Sequence, residues 1–237
     1  MVTSLLAIHI TTHCSRSLGN GLLVTMNADN TNYFDESAAN WDNEPHRIEL
    51  MKAIGEAILR EVRPTNDMDV LDYGCGTGLV GLFLLPYVRS VTGADSSSGM
   101  LDVLRTKIRD GGINGMATTE LDLEKQPVPK ERFHVIVSSM VMHHVANLER
   151  VLLAFHEMLL PDGVLCIADL DAEPGVFHSA EATTSVHHHG FARRVFKERL
   201  EAVGFRDIAV STVHAVRKSV DSGDIRDFPV FLMVGRR

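Results

Sequence analysis

Cysteine is scarce: Cys14, Cys75 and Cys166 stand far apart, with no CxxC pair. Such spacing excludes a disulfide framework or a zinc knuckle and suits a reducing compartment. Basic runs are missing as well, and 31 acids against 23 Lys and Arg give a net charge of −8. A nucleic-acid or anionic-membrane partner is therefore not expected. No apolar run approaches the roughly 20 residues needed to span a bilayer. Charge is almost absent from the first 26 residues, where Arg16 stands alone among acids and strong bases. We read 1–26 as a disordered or targeting-like extension, with Met26 an equally good start; a mitochondrial transit peptide or a signal peptide is the alternative. Residues 27–237 read as a single domain in the cytoplasm, or in mitochondria if the extension is a transit peptide.

What is present suffices for a core: 45% of residues are hydrophobic and 23% charged, which excludes a disordered chain. A short helix over 32–42 precedes one opening at Pro45, whose missing N–H does no harm in a first turn. Ile48, Met51, Ile54, Ile58 and Val62 recur there at close to helical period, and Pro64 closes it. Strands are then expected at 68–72, 90–94, 116–121, 133–140 and 163–169, with helices at 78–88, 97–109, 147–160 and 191–203. Two last strands, near 205–213 and 228–235, lack a crossover helix. The pattern predicts an α/β fold: a mostly parallel seven-stranded sheet, helices on both faces, and an antiparallel C-terminal strand pair.

The stretch "DVLDYGCGTGLVG" (69–81) climbs to Asp72 and empties into Gly74, Gly76, Gly78 and Gly81. Glycine serves where backbone must bend sharply or approach a ligand. In an open parallel sheet, ligands sit beyond the carboxyl ends of the strands. A dinucleotide fits poorly. The G-x-G-x-x-G pattern meets Leu79 at its last position, with glycine at 78 instead. Asp72 would also face a pyrophosphate, and no Tyr is followed four residues later by Lys. S-adenosylmethionine fits better, because its ammonium and sulfonium favour a nearby carboxylate, while its own carboxylate suits the first N–H groups of the next helix. Its ribose would want an acid at the second strand's end, and "VTGAD" delivers Asp95.

Together, "VLDYGCGTG", "VTGADSSSGML", "LDLE", "VIVSSMVMHHV" and "LLPDGVLCIADLD" resemble the successive motifs of class I S-adenosylmethionine-dependent methyltransferases. They most resemble the small-molecule type 11 branch, related to the ubiquinone and menaquinone enzymes, and the resemblance runs from about residue 32 to the C-terminus. It implies a Rossmann-like fold and residues 27–64 as a helical lid. It also implies a small-molecule acceptor, methylated on O, N, S or C by in-line displacement, with S-adenosylhomocysteine as product. Asp72 with Gly74, Gly76 and Gly78, and with Tyr73 and Cys75 between them, would hold the methionine moiety. Asp95, with Ser96 beside it, would hold the ribose hydroxyls, and Met100 would pack against adenine. Asp122 and the N–H of Leu123 would face the adenine amine. Ser138 or Ser139 would line the methionine tail, and Tyr33 and Trp41 would fold over the cofactor.

Histidines crowd the same edge. His143 and His144 follow the fourth strand, while His178 and the run His187, His188, His189 lie in the long loop after the fifth. Three adjacent side chains cannot converge on one ion, so no metal is expected. A general base is: His144 first, then His143, with His188 or His189 behind, since imidazole titrates in the useful range. The competing view is a catalytically silent S-adenosylmethionine-binding sensor or scaffold. Nothing in the sequence names the acceptor or the oligomeric state.

Overall fold

A computed structural model describes residues 31–178, 185–220 and 223–237. The expected extension over 1–26 lies outside them. The seven strands are β1 (Asp69–Tyr73), β2 (Ser90–Asp95), β3 (Met116–Glu120), β4 (Phe133–Ser139), β5 (Leu159–Leu170), β6 (Arg206–Ser219) and β7 (Ile225–Arg236). They form one sheet in the order β3-β2-β1-β4-β5-β7-β6. The first five run parallel, and β7 pairs antiparallel with both β5 and β6. The expected α/β architecture, with its antiparallel C-terminal pair, is the one observed.

The helices are α1 (Thr31–Ser37), α2 (Pro45–Val62), α3 (Leu79–Leu84), α4 (Ser98–Asp110), α5 (Leu148–Met158) and α6 (Arg193–Ala202). One hydrophobic cluster joins α2, α3 and α4 to one sheet face, and another joins α5 and α6 to the other. Helix α2 buries Leu50, Ile54, Ala57 and Ile58, a one-sided spacing. Ile48, expected on that stripe, is exposed. Gly55 lets α2 cross close to α3, since a Cβ there would stand 2.4 Å from the Phe83 ring.

Some boundaries differ from expectation for local reasons. The helix expected over 78–88 stops at Leu84 and tightens into a 3-10 turn, Leu85–Tyr87, because Pro86 supplies no N–H. Helix α5 ends at Met158, not 160, because Leu159 already pairs with Phe133 and Leu160 precedes a proline. Strands β6 and β7 run longer than expected and pair out to Ser219 and Ile225. Among the described residues, no helix is long and apolar enough to cross a membrane.

Candidate functional site

Strand order reverses at β1, which has β2 on one side and β4 on the other. The carboxyl ends of these three strands open into a cavity of about 770 Å³, ample for a cofactor-sized ligand. The floor is the glycine loop. Gly74 and Cys75 both donate their N–H to the Ala94 carbonyl, at 2.7 and 3.0 Å, tying the loop to the end of β2. Gly74 and Gly78 have φ of +70° and +84°, and a Cβ on either would strike Val141 or Leu104. Gly76, also at positive φ, has open space instead: its nearest neighbour would be the Met100 sulfur at 3.9 Å.

Asp72 lies almost fully buried at the cavity edge, its carboxylate accepting the Gly81 N–H at 2.9 Å. Burial first, and then the charge of Asp95, push its pKa up to about 7. Asp95 accepts the Gly76 N–H at 2.8 Å and the Ser97 N–H at 2.9 Å. Its pKa is raised too, chiefly by burial. Ser97, not Asp95, caps α4, accepting the Met100 N–H at 3.1 Å. Among the described residues neither Asp72 nor Asp95 has a cationic partner. Close by, the buried Ser139 hydroxyl has no protein partner at hydrogen-bonding distance. An open glycine cradle, two carboxylates without cations and an orphaned hydroxyl are what a ligand with an ammonium and sugar hydroxyls would satisfy.

Most of the expected cofactor residues line this one cavity: Asp72, Tyr73, Gly74, Cys75, Gly76, Asp95, Ser96, Met100, Asp122, Ser139 and Trp41. Gly78 stands just outside and shapes the turn. Three do not reach it. The Leu123 N–H is directed at the Tyr73 hydroxyl at 3.2 Å, and its side chain is core. Ser138 points into the core, as strand alternation requires once Ser139 faces the cavity. Tyr33 packs edge-on against Phe34, and Phe34 lines the cavity in its place.

Sequence reasoning missed the acids that anchor the N-terminal segment. Asp35 accepts the Ser97 hydroxyl at 2.6 Å and the Gly99 N–H at 2.8 Å. Asp42 accepts the Thr77 hydroxyl at 2.6 Å and pairs with Lys107 at 2.5 Å. Their partners lie 35 to 65 positions away, so no local pattern marks them. Asp169 was legible, since it ends an apolar strand as Asp72 and Asp95 do. It is fully buried, 2.7 Å from His143 Nδ1, and also accepts the N–H groups of Leu170 and His143.

The histidines take different positions. His143 is buried on Asp169 and does not line the cavity. Of the consecutive run, His187 lines the cavity. His188 turns back with Nε2 3.0 Å from the Val145 carbonyl, and His189 turns toward Glu173. His144 lines the cavity, with Nδ1 2.8 Å from the Ser185 carbonyl. Burial and the neighbouring His143 lower its pKa to about 3. An imidazole so reluctant to take a proton is a poor general base near neutrality, so its surroundings do not favour the role expected of it.

Comparison with known proteins agrees with this geometry. Residues 45–210 match the family described as "Methyltransferase domain". That is well over half of the chain, and the protein belongs to this family. An uncharacterised methyltransferase of Schizosaccharomyces pombe is 34% identical over 135 residues, covering 52% of this chain and 48% of the relative. A ubiquinone biosynthesis O-methyltransferase of Bartonella bacilliformis is 28% identical over 164 residues, 62% of this chain and 65% of the relative. The chain thus spans about half to two thirds of the length of these relatives. Among solved structures, YcgJ of Bacillus subtilis superposes with a TM-score of 0.63 at 14% identity, over 78% of this chain and 97% of that one. Phosphoethanolamine N-methyltransferase 2 of Haemonchus contortus, solved with S-adenosyl-L-methionine, gives 0.63 at 14% identity, over 86% and 60%. At such identities the superpositions establish a shared Rossmann-like methyltransferase fold.

Proposed function

We infer that this chain uses S-adenosylmethionine to methylate a small-molecule acceptor seated in the same cavity. The observation that carries the reading is the pair Asp72 and Asp95, set beside bare glycine backbone at the carboxyl ends of two neighbouring strands. When bound, the cofactor supplies a methyl group already activated on a sulfonium. The protein's part is to bind, align and exclude water, and alignment alone can supply several kcal/mol of a barrier, up to roughly 7–11.

In this assignment Asp72 receives the ammonium end, while Gly74 and Gly76 keep the loop low enough for close approach. The Ser139 hydroxyl takes a polar atom of the methionine tail. Asp95 receives the ribose hydroxyls, Met100 packs on the adenine face, and Asp122 takes the adenine amine. Phe34 and Trp41, carried on a segment anchored by Asp35 and Asp42, cover the mouth, which supports reading residues 27–64 as a lid on one domain. A cavity of about 770 Å³ shared with the cofactor leaves room for a metabolite-sized acceptor. Two free, buried cysteines among the described residues support a reducing, cytoplasmic setting.

The test is calorimetry with S-adenosylhomocysteine and with NADH, followed by transfer of labelled methyl from S-adenosylmethionine into a metabolite extract. Binding of the first ligand alone, with label appearing in a small product, is expected. Tight binding without any transfer would favour the sensor, and NADH binding in its place would refute the assignment.

A further inference from the structure

Three imidazoles meet where the turn after β4 touches the segments that follow β5. His143 and His144 come from the 3-10 turn Met142–His144, and His178 from the segment beyond β5. One ring nitrogen from each lies within 4.8 Å of the other two. The ring centroids are 4.1 Å apart for His143 and His144, 5.0 Å for His143 and His178, and 5.5 Å for His144 and His178. The sequence argument against a metal concerned His187, His188 and His189, which do diverge, and it does not reach this trio.

From this geometry we propose that His143, His144 and His178 form a binding site for one late first-row divalent cation, Zn²⁺ foremost. Two supporting bonds are already in place. A metal-bound histidine normally gives its second ring N–H to a carboxylate or a backbone carbonyl, which fixes the tautomer and aims the free nitrogen. His143 does this through Nδ1 to the buried Asp169 carboxylate at 2.7 Å. His144 does it through Nδ1 to the Ser185 carbonyl at 2.8 Å. Each therefore offers Nε2. Asp169 is itself held by the N–H groups of Leu170 and His143, so the carboxylate is a fixed support. Neutral imidazoles add no charge; Asp169 offsets one unit of the ion's charge, while the Lys218 ammonium, which bonds the Phe177 carbonyl beside His178, opposes it.

All-nitrogen ligation suits Zn²⁺ and its neighbours rather than Mg²⁺ or Ca²⁺, which prefer oxygen. Zn–N bonds of about 2.0–2.1 Å require the three nitrogens to close somewhat on the ion. Three protein ligands leave a fourth position for water or an oxygen donor. The ion would tie together the turn after β4 and the segment beyond β5. Near residue 185 the same region is already fastened, since His187 and His188 both give their N–H to the His143 carbonyl, at 2.9 and 3.0 Å. Ligation would thus stiffen the wall that carries His144 and His187 into the cavity.

The experiment uses the purified full chain, stripped with chelator, dialysed against trace Zn²⁺ or Co²⁺, and assayed by elemental analysis, calorimetry and Co²⁺ absorption. One equivalent per chain is expected, with the visible bands of a four-coordinate site and a thermal midpoint that rises with Zn²⁺ concentration. His178→Ala, at a partly exposed position, should abolish the Co²⁺ bands while leaving S-adenosylhomocysteine binding intact. Asp169→Asn should weaken Zn²⁺ about 10–100-fold, the usual cost of losing such a support. His189→Ala, outside the trio, should bind normally. Substoichiometric uptake by the parent chain, or unchanged binding in His178→Ala, would overturn the proposal. So would loss of binding in His189→Ala alone. Because the adenosyl ligand is measured separately, failure here does not touch the methyltransferase reading.

Discussion

Replacing Asp72 with Asn should make the ligand-free protein sturdier and its cofactor binding worse. The carboxyl has a pKa of about 7 in the fold, against 3.8 for an ordinary aspartate. An acid with a raised pKa leaves stability unaffected below pH 4, where both folded and unfolded chains hold the proton. As pH climbs past 4 the unfolded chain ionises first, and stability drains away until the folded group ionises near 7. At 1.36 kcal/mol per unit, the roughly 3-unit gap amounts to about 4 kcal/mol above pH 7, of which about 3 kcal/mol is lost between pH 5 and 8. Asn keeps an acceptor for the Gly81 N–H but removes the charge. Urea unfolding of parent and variant, without ligand, should therefore diverge by about 3 kcal/mol between pH 5 and 8, in favour of the variant at the higher pH. Calorimetry should show the opposite order for S-adenosylhomocysteine. Its ammonium needs the ionised carboxylate, so parent affinity should rise up to about tenfold per unit below pH 7 and level off above it. A difference in stability that does not change with pH would refute the reasoning, as would an Asn variant that binds the ligand as well as the parent.

Asp95→Ala removes the acceptor for two loop N–H groups as well as the expected ribose contact. We expect at least a tenfold loss of affinity for S-adenosylhomocysteine by calorimetry, with the far-ultraviolet circular dichroism unchanged. Gly81→Ala would bring a methyl group to 2.9 Å from the Asp72 carboxylate and 3.0 Å from Met116. It should cost about 1–3 kcal/mol in urea unfolding, the usual range for overpacking, and weaken cofactor binding as the carboxylate is displaced.

The scaffold was readable because its signals are local and repeated. An apolar run ending in Asp72, then glycines, then a second run ending in Asp95 specify a strand, a turn and the next strand within 27 residues. The same logic reaches Asp169, which ends the apolar run of β5. What could not be read arises from contacts across long stretches of chain. Nothing near Asp35 announces Ser97, and nothing near Tyr73 announces that its hydroxyl would claim the Leu123 N–H. The histidines show the same limit. Adjacent positions revealed that His187, His188 and His189 must splay apart, whereas the meeting of His178 with His143 depends on how the segment beyond β5 returns to the sheet. Burial also changed the chemistry of His144, and no sequence pattern encodes the desolvation that lowers its pKa.

Backbone pairing between β1 and β2 works as a ruler. Asp72 stands opposite Gly93 in that ladder, which puts Asp95 two steps, about 7 Å, further along its strand on the same side of the pleat, and about 8 Å from Asp72 once the spacing of about 4.8 Å between strands is included. Sliding one strand by a single step would throw Asp95 to the opposite surface. The distance between the two acidic anchors is thus written into main-chain geometry, which side-chain substitutions elsewhere cannot retune, and the surrounding loops are free to diversify around a fixed span.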